Sequence, residues 1–183
     1  RLLHVINMFL DVTKVESGKM ELTKAPADLV DIASHAVGDN LLFAKQKKLT
    51  LSGELPKTQI IATVDAAKIR EVMFNFIENA IKYTQEGSVT VSLVVEKKEA
   101  VFRVRDTGVG IAKDEVPKLF AKFVRAGGGF KVAHGSGLGL YIAKSMTEQH
   151  GGSVFVESPG EGKGSTFGFR LSLETAPVSP PTA

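Results

Sequence analysis

In the stretch NFIENAIKYT, Asn75, Asn79 and Lys82 fall at i, i+4 and i+7, so on a helix they share one face. Asparagine is a weak helix former, because its amide competes for nearby backbone groups. Two amides and an ammonium on one stripe can give oxygens to a hard cation and positive charge to phosphates. The same stripe can equally be a solvated polar face, with Val72, Phe76, Ile77 and Ala80 turned to the core. A second group is DTGVGI, where Asp106 closes an apolar strand pattern and Gly108 and Gly110 allow backbone angles that other residues avoid. A carboxylate there can accept a hydrogen bond from an exocyclic amine such as that of adenine, over an apolar floor at Ile111. An ordinary Asp-Gly turn is the plain alternative. In the third group, HGSGLGLYIAK, Gly135, Gly137 and Gly139 precede a helical pattern, whose free N-terminal amides make a phosphate seat. No Gly-Lys-Ser/Thr closes that loop as in a P-loop, and its glycine spacing is not the dinucleotide fingerprint. GEGKGST, at 160–166, also fails as a P-loop, since Glu157 stands where the first glycine belongs.

The elements that must position these residues follow from periodicity. Leu2, Leu3, Ile6, Phe9, Leu10 and Thr13 form a helical stripe stopped at Gly18. A short strand is expected near Met20–Lys24, then a helix from Asp28 to about Lys47. Strands follow at Leu49–Gly53 and Ile60–Val64, and Asp65 caps a helix running to Tyr83. Val89, Val91, Leu93 and Val95 share a face of a hairpin that turns near Lys97–Lys98 and returns over Val101–Arg105. A short helix is expected over Lys113–Lys122 and another over Leu138–Gln149, ended by Gly151 and Gly152. A last hairpin uses Ser153–Glu157 and Ser165–Leu173. This order predicts an α+β two-layer sandwich, a mixed sheet covered on one face by helices.

A chain of 183 residues can bury a core of useful size. Its net charge of +3 gives no case for nucleic acid, and the run Lys45, Lys47, Lys48 reads as a solvated helix end. With no cysteine there is neither a disulfide framework nor a thiolate metal site. No apolar run reaches membrane-spanning length. The opening residues read as the end of a helix from a longer protein, which leaves room for an upstream membrane anchor.

Taken in series, these motifs resemble those of the ATP-binding catalytic domain of sensor histidine kinases, within the Bergerat-fold group that includes gyrase, mismatch-repair ATPases and heat-shock chaperones. NFIENAIKYT is similar to the N box and DTGVGI to the first glycine box. LFAKF, with Phe120 and Phe123, resembles the F box, GSGLGL the second glycine box and GKGSTF the last. FLDVTKVESGKMEL resembles the end of the dimerisation and phosphoacceptor hairpin. The resemblance implies three parts: residues 1–18 as the end of the hairpin's second helix, 19–174 as the catalytic domain and 175–183 as a disordered tail. It implies Mg-ATP as ligand. Asp106 accepts from the adenine amine, with Thr166 supporting through water, beside Gly108, Gly110 and Ile111. Asn79 holds Mg²⁺ and Asn75 assists, Lys82 neutralises phosphate charge and Tyr83 lies against adenine. Gly135, Ser136, Gly137, Leu138, Gly139 and Leu140 shape the phosphate seat and lid. Phe120 and Phe123 anchor the lid, and Arg125 is a candidate for the γ-phosphate. Glu78 either polarises an acceptor histidine or faces solvent.

The implied partners are a dimerisation hairpin carrying the acceptor histidine, a response regulator receiver domain and a second copy in the full-length protein. The implied place is the cytoplasm. In the family the acceptor histidine precedes an acidic residue, whereas His4, His35, His134 and His150 precede Val5, Ala36, Gly135 and Gly151. Asn75 stands where water-splitting relatives place a glutamate, and an amide is a poor general base. That favours transfer to a side chain over hydrolysis. An inactive nucleotide-binding signalling module and an anti-sigma-type serine kinase are the competing readings.

Overall fold

The computed structural model describes residues 13, 20–124 and 137–173. Two aspartates set its helices. Strand β1 (Ala25–Asp28) pairs antiparallel with β3 (Ile61–Val64) in a small sheet. Asp28 then caps α1 (Leu29–Gln46), its Oδ1 accepting from the amides of Val30 at 3.0 Å and Ile60 at 3.1 Å. One carboxylate thus starts the helix and fastens it to the small sheet. Asp65 caps α2 (Ala66–Tyr83) by accepting from the Lys68 amide at 3.1 Å, and its other oxygen accepts from the Thr23 amide at 3.0 Å.

The main sheet holds β2 (Thr50–Glu54), β4 (Ser88–Glu96), β5 (Glu99–Asp106), β7 (Ser165–Ser172) and β6 (Ser153–Glu157), in that spatial order. Strand β2 lies parallel to β4, and the other neighbours are antiparallel. Helices α1, α2 and α3 (Gly139–Gln149) pack on the sheet, with α2 between the other two. Alternation along the strands sends Val89, Val91, Leu93, Phe102, Val104, Phe167, Phe169 and Leu171 into that layer, all buried. Ile69, Val72, Met73, Phe76, Ile77 and Ile81 meet them from α2. Phe102 and Phe169, directly opposite in the β5–β7 pair, stack with centroids 5.2 Å apart. The architecture is the α+β two-layer sandwich that the pattern predicts.

Several local expectations need correction. The first strand is Ala25–Asp28, not Met20–Lys24, because it is the later segment that reaches β3. Residues 20–24 run unpaired by strand bonds, held instead through Thr23 and Lys24. The helix expected over Lys113–Lys122 is only a 3₁₀ turn at Val116–Lys118, where Pro117 removes an amide donor. Val95 is exposed, although Ala100 opposite it on β5 is buried. Lys97 and Lys98 both take positive φ at that turn, as a tight hairpin requires. Lys47 is not a solvated lysine: its ammonium donates to the carbonyls of Ile81, Lys82 and Thr84 at 2.8, 3.0 and 2.9 Å. The helix ending at Gly18 lies outside the described residues apart from Thr13. Among the described residues no helix is long and apolar enough to cross a membrane.

His150 closes α3 in a way the sequence does not display. Its Nε2 accepts from the Asp65 amide at 3.0 Å, so Nδ1 carries the proton toward the Met146 carbonyl, 2.6 Å away. The ring is therefore neutral, and burial holds its pKa below the ordinary histidine value, with the Lys24 charge acting the same way. The positive charge at this helix end comes from Lys24, whose ammonium donates to the Gln149 carbonyl at 2.7 Å. A depressed histidine pKa gives stability that is full above the unfolded-state pKa and is lost as pH falls below it. Thermal unfolding of the wild-type chain, compared with His150→Gln, should show that loss below about pH 6.5, the unperturbed histidine value. The variant should lack this component.

Candidate functional site

The site grows around Asp106, the last residue of the central strand β5 and only 5% exposed. Its Oδ1 accepts from the amides of Gly108 at 2.8 Å and Ser165 at 3.2 Å, and its Oδ2 accepts from the Ser165 hydroxyl at 2.6 Å. Burial raises its pKa above the ordinary aspartate value, and these three donors only partly offset that. A buried carboxylate at a strand end, with acceptor capacity beyond these three donors, can take a further hydrogen bond from a ligand. Strand register supplies a direct partner that the sequence reading did not name. Ser165 lies directly opposite Asp106 and shares its face, whereas Thr166 lies opposite Arg105 on the other face of the sheet.

The turn after Asp106 is wedged against the end of α2. A Cβ on Gly108 would sit 2.5 Å from the Tyr83 carbonyl and 2.9 Å from Asp106 Oδ1. The Val109 amide donates to that same Tyr83 carbonyl at 3.2 Å. Ile111 is buried, and its amide donates at 3.0 Å to the Ser158 hydroxyl, which itself donates to the Gly164 carbonyl at 2.8 Å. Gly164 returns its amide to the Gly108 carbonyl at 3.0 Å. The first and last glycine motifs are thus knitted together behind the aspartate.

On α2, Asn75 is buried, against the reading of a solvated stripe. Its Oδ1 lies 3.3 Å from where a Cβ on Gly139 would stand, so the stripe faces the N-terminus of α3. Asn79, Glu78, Lys82 and Tyr83 are half-buried along the same helix, and the Lys82 ammonium sits 5.9 Å from the Tyr83 ring centroid. Leu138 is buried and Leu140 packs on the core beside the helix start. Phe120 packs edge-on against Phe167 at 6.3 Å and does anchor its segment. Phe123 is 65% exposed with φ of +60°, and its amide donates to the Gly137 carbonyl at 3.1 Å; the lid it is expected to anchor lies outside the described residues. Arg125, Gly135, Ser136 and most of the lid tip lie outside the described residues.

The arrangement can hold a base at Asp106 and Ile111, and an anion between the α2 stripe and the α3 amides. Among the described residues no cluster of three or more His, Cys, Asp or Glu could hold a metal. A cation here would rest on the amide oxygens of Asn75 and Asn79, a neutral hard-donor set that suits Mg²⁺ sharing phosphate and water ligands. Sequence reasoning missed Ser165, Ser158, Thr84 and Lys47. Ser165 meets Asp106 only through the register of the β5–β7 pair, which the sequence does not display.

The histidine kinase-, DNA gyrase B- and HSP90-like ATPase family matches residues 64–175. The aerobic respiration control sensor protein ArcB of Escherichia coli is 35% identical over 169 residues, which are 90% of this chain and 22% of that protein. The sensor histidine kinase WalK of Bacillus subtilis is 34% identical over 93% of this chain and 28% of its own length. The chain therefore spans only about a quarter of such relatives. The crystal structure of full-length ShkA in complex with AMPPNP superposes with a TM-score of 0.82 at 28% identity, over 96% of this chain and 36% of that one. The catalytic domain of histidine kinase ThkA matches in fold, with a TM-score of 0.71 at 22% identity, over 84% of this chain and 97% of that one.

The Asp106–Ser165 pair makes a direct prediction. Ser165→Ala removes the hydroxyl that holds the Asp106 charge, so the carboxyl should titrate higher still. Thr166→Val should leave it unchanged. Carboxyl-carbon NMR titration of the three proteins reads this without any ligand.

Proposed function

The chain belongs to the histidine kinase-, DNA gyrase B- and HSP90-like ATPase family, and we propose that it is the ATP-binding catalytic part of a sensor histidine kinase. In this reading it passes the γ-phosphoryl group of Mg-ATP to a histidine on a dimerisation hairpin, for relay to a response regulator aspartate. The carrying observation is that Asn75 on α2 meets Gly139 at the start of α3 while the far end of α2 is bonded to the Asp106 turn. Base pocket and phosphate seat are thereby both set along the C-terminal half of one helix.

Asp106 accepts from the adenine amine, and Ile111 and Tyr83 give the ring apolar walls. Asn79 and Asn75 would hold Mg²⁺, which supplies charge neutralisation at the phosphate oxygens. Lys82 adds a second positive charge, the α3 amides take phosphate oxygens, Gly135 and Ser136 belong to the phosphate seat, and Arg125 is the candidate for the γ-phosphate. Glu78, beside Asn79, polarises the incoming imidazole. Phosphoryl transfer needs positioning and charge more than covalent help, and this set provides both. The amide at Asn75 keeps water from being activated as a base would activate it. Residues 1–18 form the end of the hairpin, 19–174 the catalytic domain and 175–183 a tail. The whole protein pairs as a homodimer, with this part in the cytoplasm. That the relatives above are named sensor kinases supports this over a serine kinase of the anti-sigma type.

Asp106→Asn should weaken ADP and ATP alike by about 1–3 kcal/mol, the scale of a buried hydrogen bond left unmatched. Calorimetry on the folded variant measures this, and unchanged ADP affinity rejects the pocket. Asn79→Ala should remove the Mg²⁺ dependence of binding and nearly all transfer.

The chain should bind Mg-ATP and yet not label itself, because none of its four histidines has the acceptor context. Incubation with γ-labelled ATP tests this, alone and with a hairpin carrying the acceptor histidine. Label should appear on the added hairpin only, and weakly, because tethering is lost. Acid-labile label on this chain alone would overturn the reading.

A further inference from the structure

A helix ends with four carbonyls that have no partner inside it. In α2 all four are taken, from three places. The Ala80 carbonyl accepts from the Thr84 amide at 3.1 Å and the Thr84 hydroxyl at 2.7 Å. The Tyr83 carbonyl accepts from the Val109 amide. The Ile81 and Lys82 carbonyls accept from a single ammonium, that of Lys47, which reaches on to the Thr84 carbonyl. Lys47 belongs to another element: its own amide closes the C-terminus of α1 by donating to the Phe43 carbonyl at 3.2 Å.

From this geometry we infer that Lys47 is a positioning residue for the nucleotide, acting through the last turn of α2 on Asp106, Lys82 and Tyr83. The inference rests on the nucleotide reading above. Its logic is mechanical. Three protons of one ammonium fix three carbonyls on both sides of Tyr83, and so fix the direction of the Tyr83 carbonyl between them. That carbonyl bonds Val109 and presses on Gly108 so closely that a methyl group has no room. Gly108 in turn donates to Asp106. A loosened last turn therefore has no slack in which to move without displacing the Asp106 turn. An ammonium is also the right group for the site, since three forked donors and a positive charge meet the negative end of a helix dipole. Burial lowers the Lys47 pKa, as expected for an amine withdrawn from water to serve as a cap.

A cap that merely stabilised the fold would lower the melting temperature and leave the affinity of folded protein alone. The test compares Lys47→Met, Lys47→Arg and Ile60→Ala, the last a core truncation just before β3 and away from the nucleotide motifs. All are assayed by ADP calorimetry well below their melting temperatures. Lys47→Met should bind about five- to tenfold more weakly, the equilibrium scale of one lost charge-assisted cap. Lys47→Arg should recover most of that, and Ile60→Ala should bind as wild type does. Wild-type affinity in Lys47→Met, or an equal loss in Ile60→Ala, overturns the inference. A wild-type chain that binds no nucleotide instead overturns the nucleotide reading, and this inference with it. Should Lys47→Met fail to fold, the wild-type ¹⁵N signal of the Lys47 ammonium decides. It should shift and exchange more slowly on adding ADP, and an unchanged signal overturns the coupling.

Discussion

The contact on which everything else leans is the one between the Tyr83 carbonyl and the turn at Gly108 and Val109. It joins the end of a helix to the end of a strand. Without it the stripe Asn75, Asn79, Lys82 and the carboxylate Asp106 would be set by two independent elements. With it they move as one body, braced on one side by Lys47 and on the other by Ser158 and Gly164. In the proposed reading, base and phosphates need a fixed separation, and the C-terminal half of α2 would set it.

A buried carboxylate is a cost to the fold. Burial raises the Asp106 pKa, so at neutral pH the charged form is held against its preference, and the strain is relieved as pH falls through the raised value. Two amides and one hydroxyl limit the penalty without abolishing it. His150 follows the opposite logic. It is buried neutral and spends both ring nitrogens on backbone groups, so it joins α3 to the cap of α2 at no ionic cost. One ionisable group thus costs the frame and the other serves it.

Much of this was legible in the residues. Asp28 and Asp65 announced helix starts, alternation in β4 and β5 announced the buried face, and the glycine spacings marked where backbone must come close. What was not legible depends on partners far along the chain. Register across the β5–β7 pair decides that Ser165, rather than Thr166, meets Asp106. A lysine's surroundings decide whether it is solvated, and nothing in the run Lys45, Lys47, Lys48 marks the middle one as a cap. The positive φ of Phe123 is not encoded by an F-x-x-F spacing.

Asp106 and Ser165 stand 59 residues apart, with α3 and β6 between them. During synthesis, β4, β5 and α2 leave the ribosome well before β7. A nascent chain at that stage has its aspartate without the hydroxyl or the amide that settle its charge, and an open edge on its central strand. The base pocket therefore comes into being only when the final hairpin docks. Pairing of such distant segments is slow compared with local helix formation. Nucleotide affinity should consequently mark a chain made at least through β7, and a product cut before it should leave the β5 edge open.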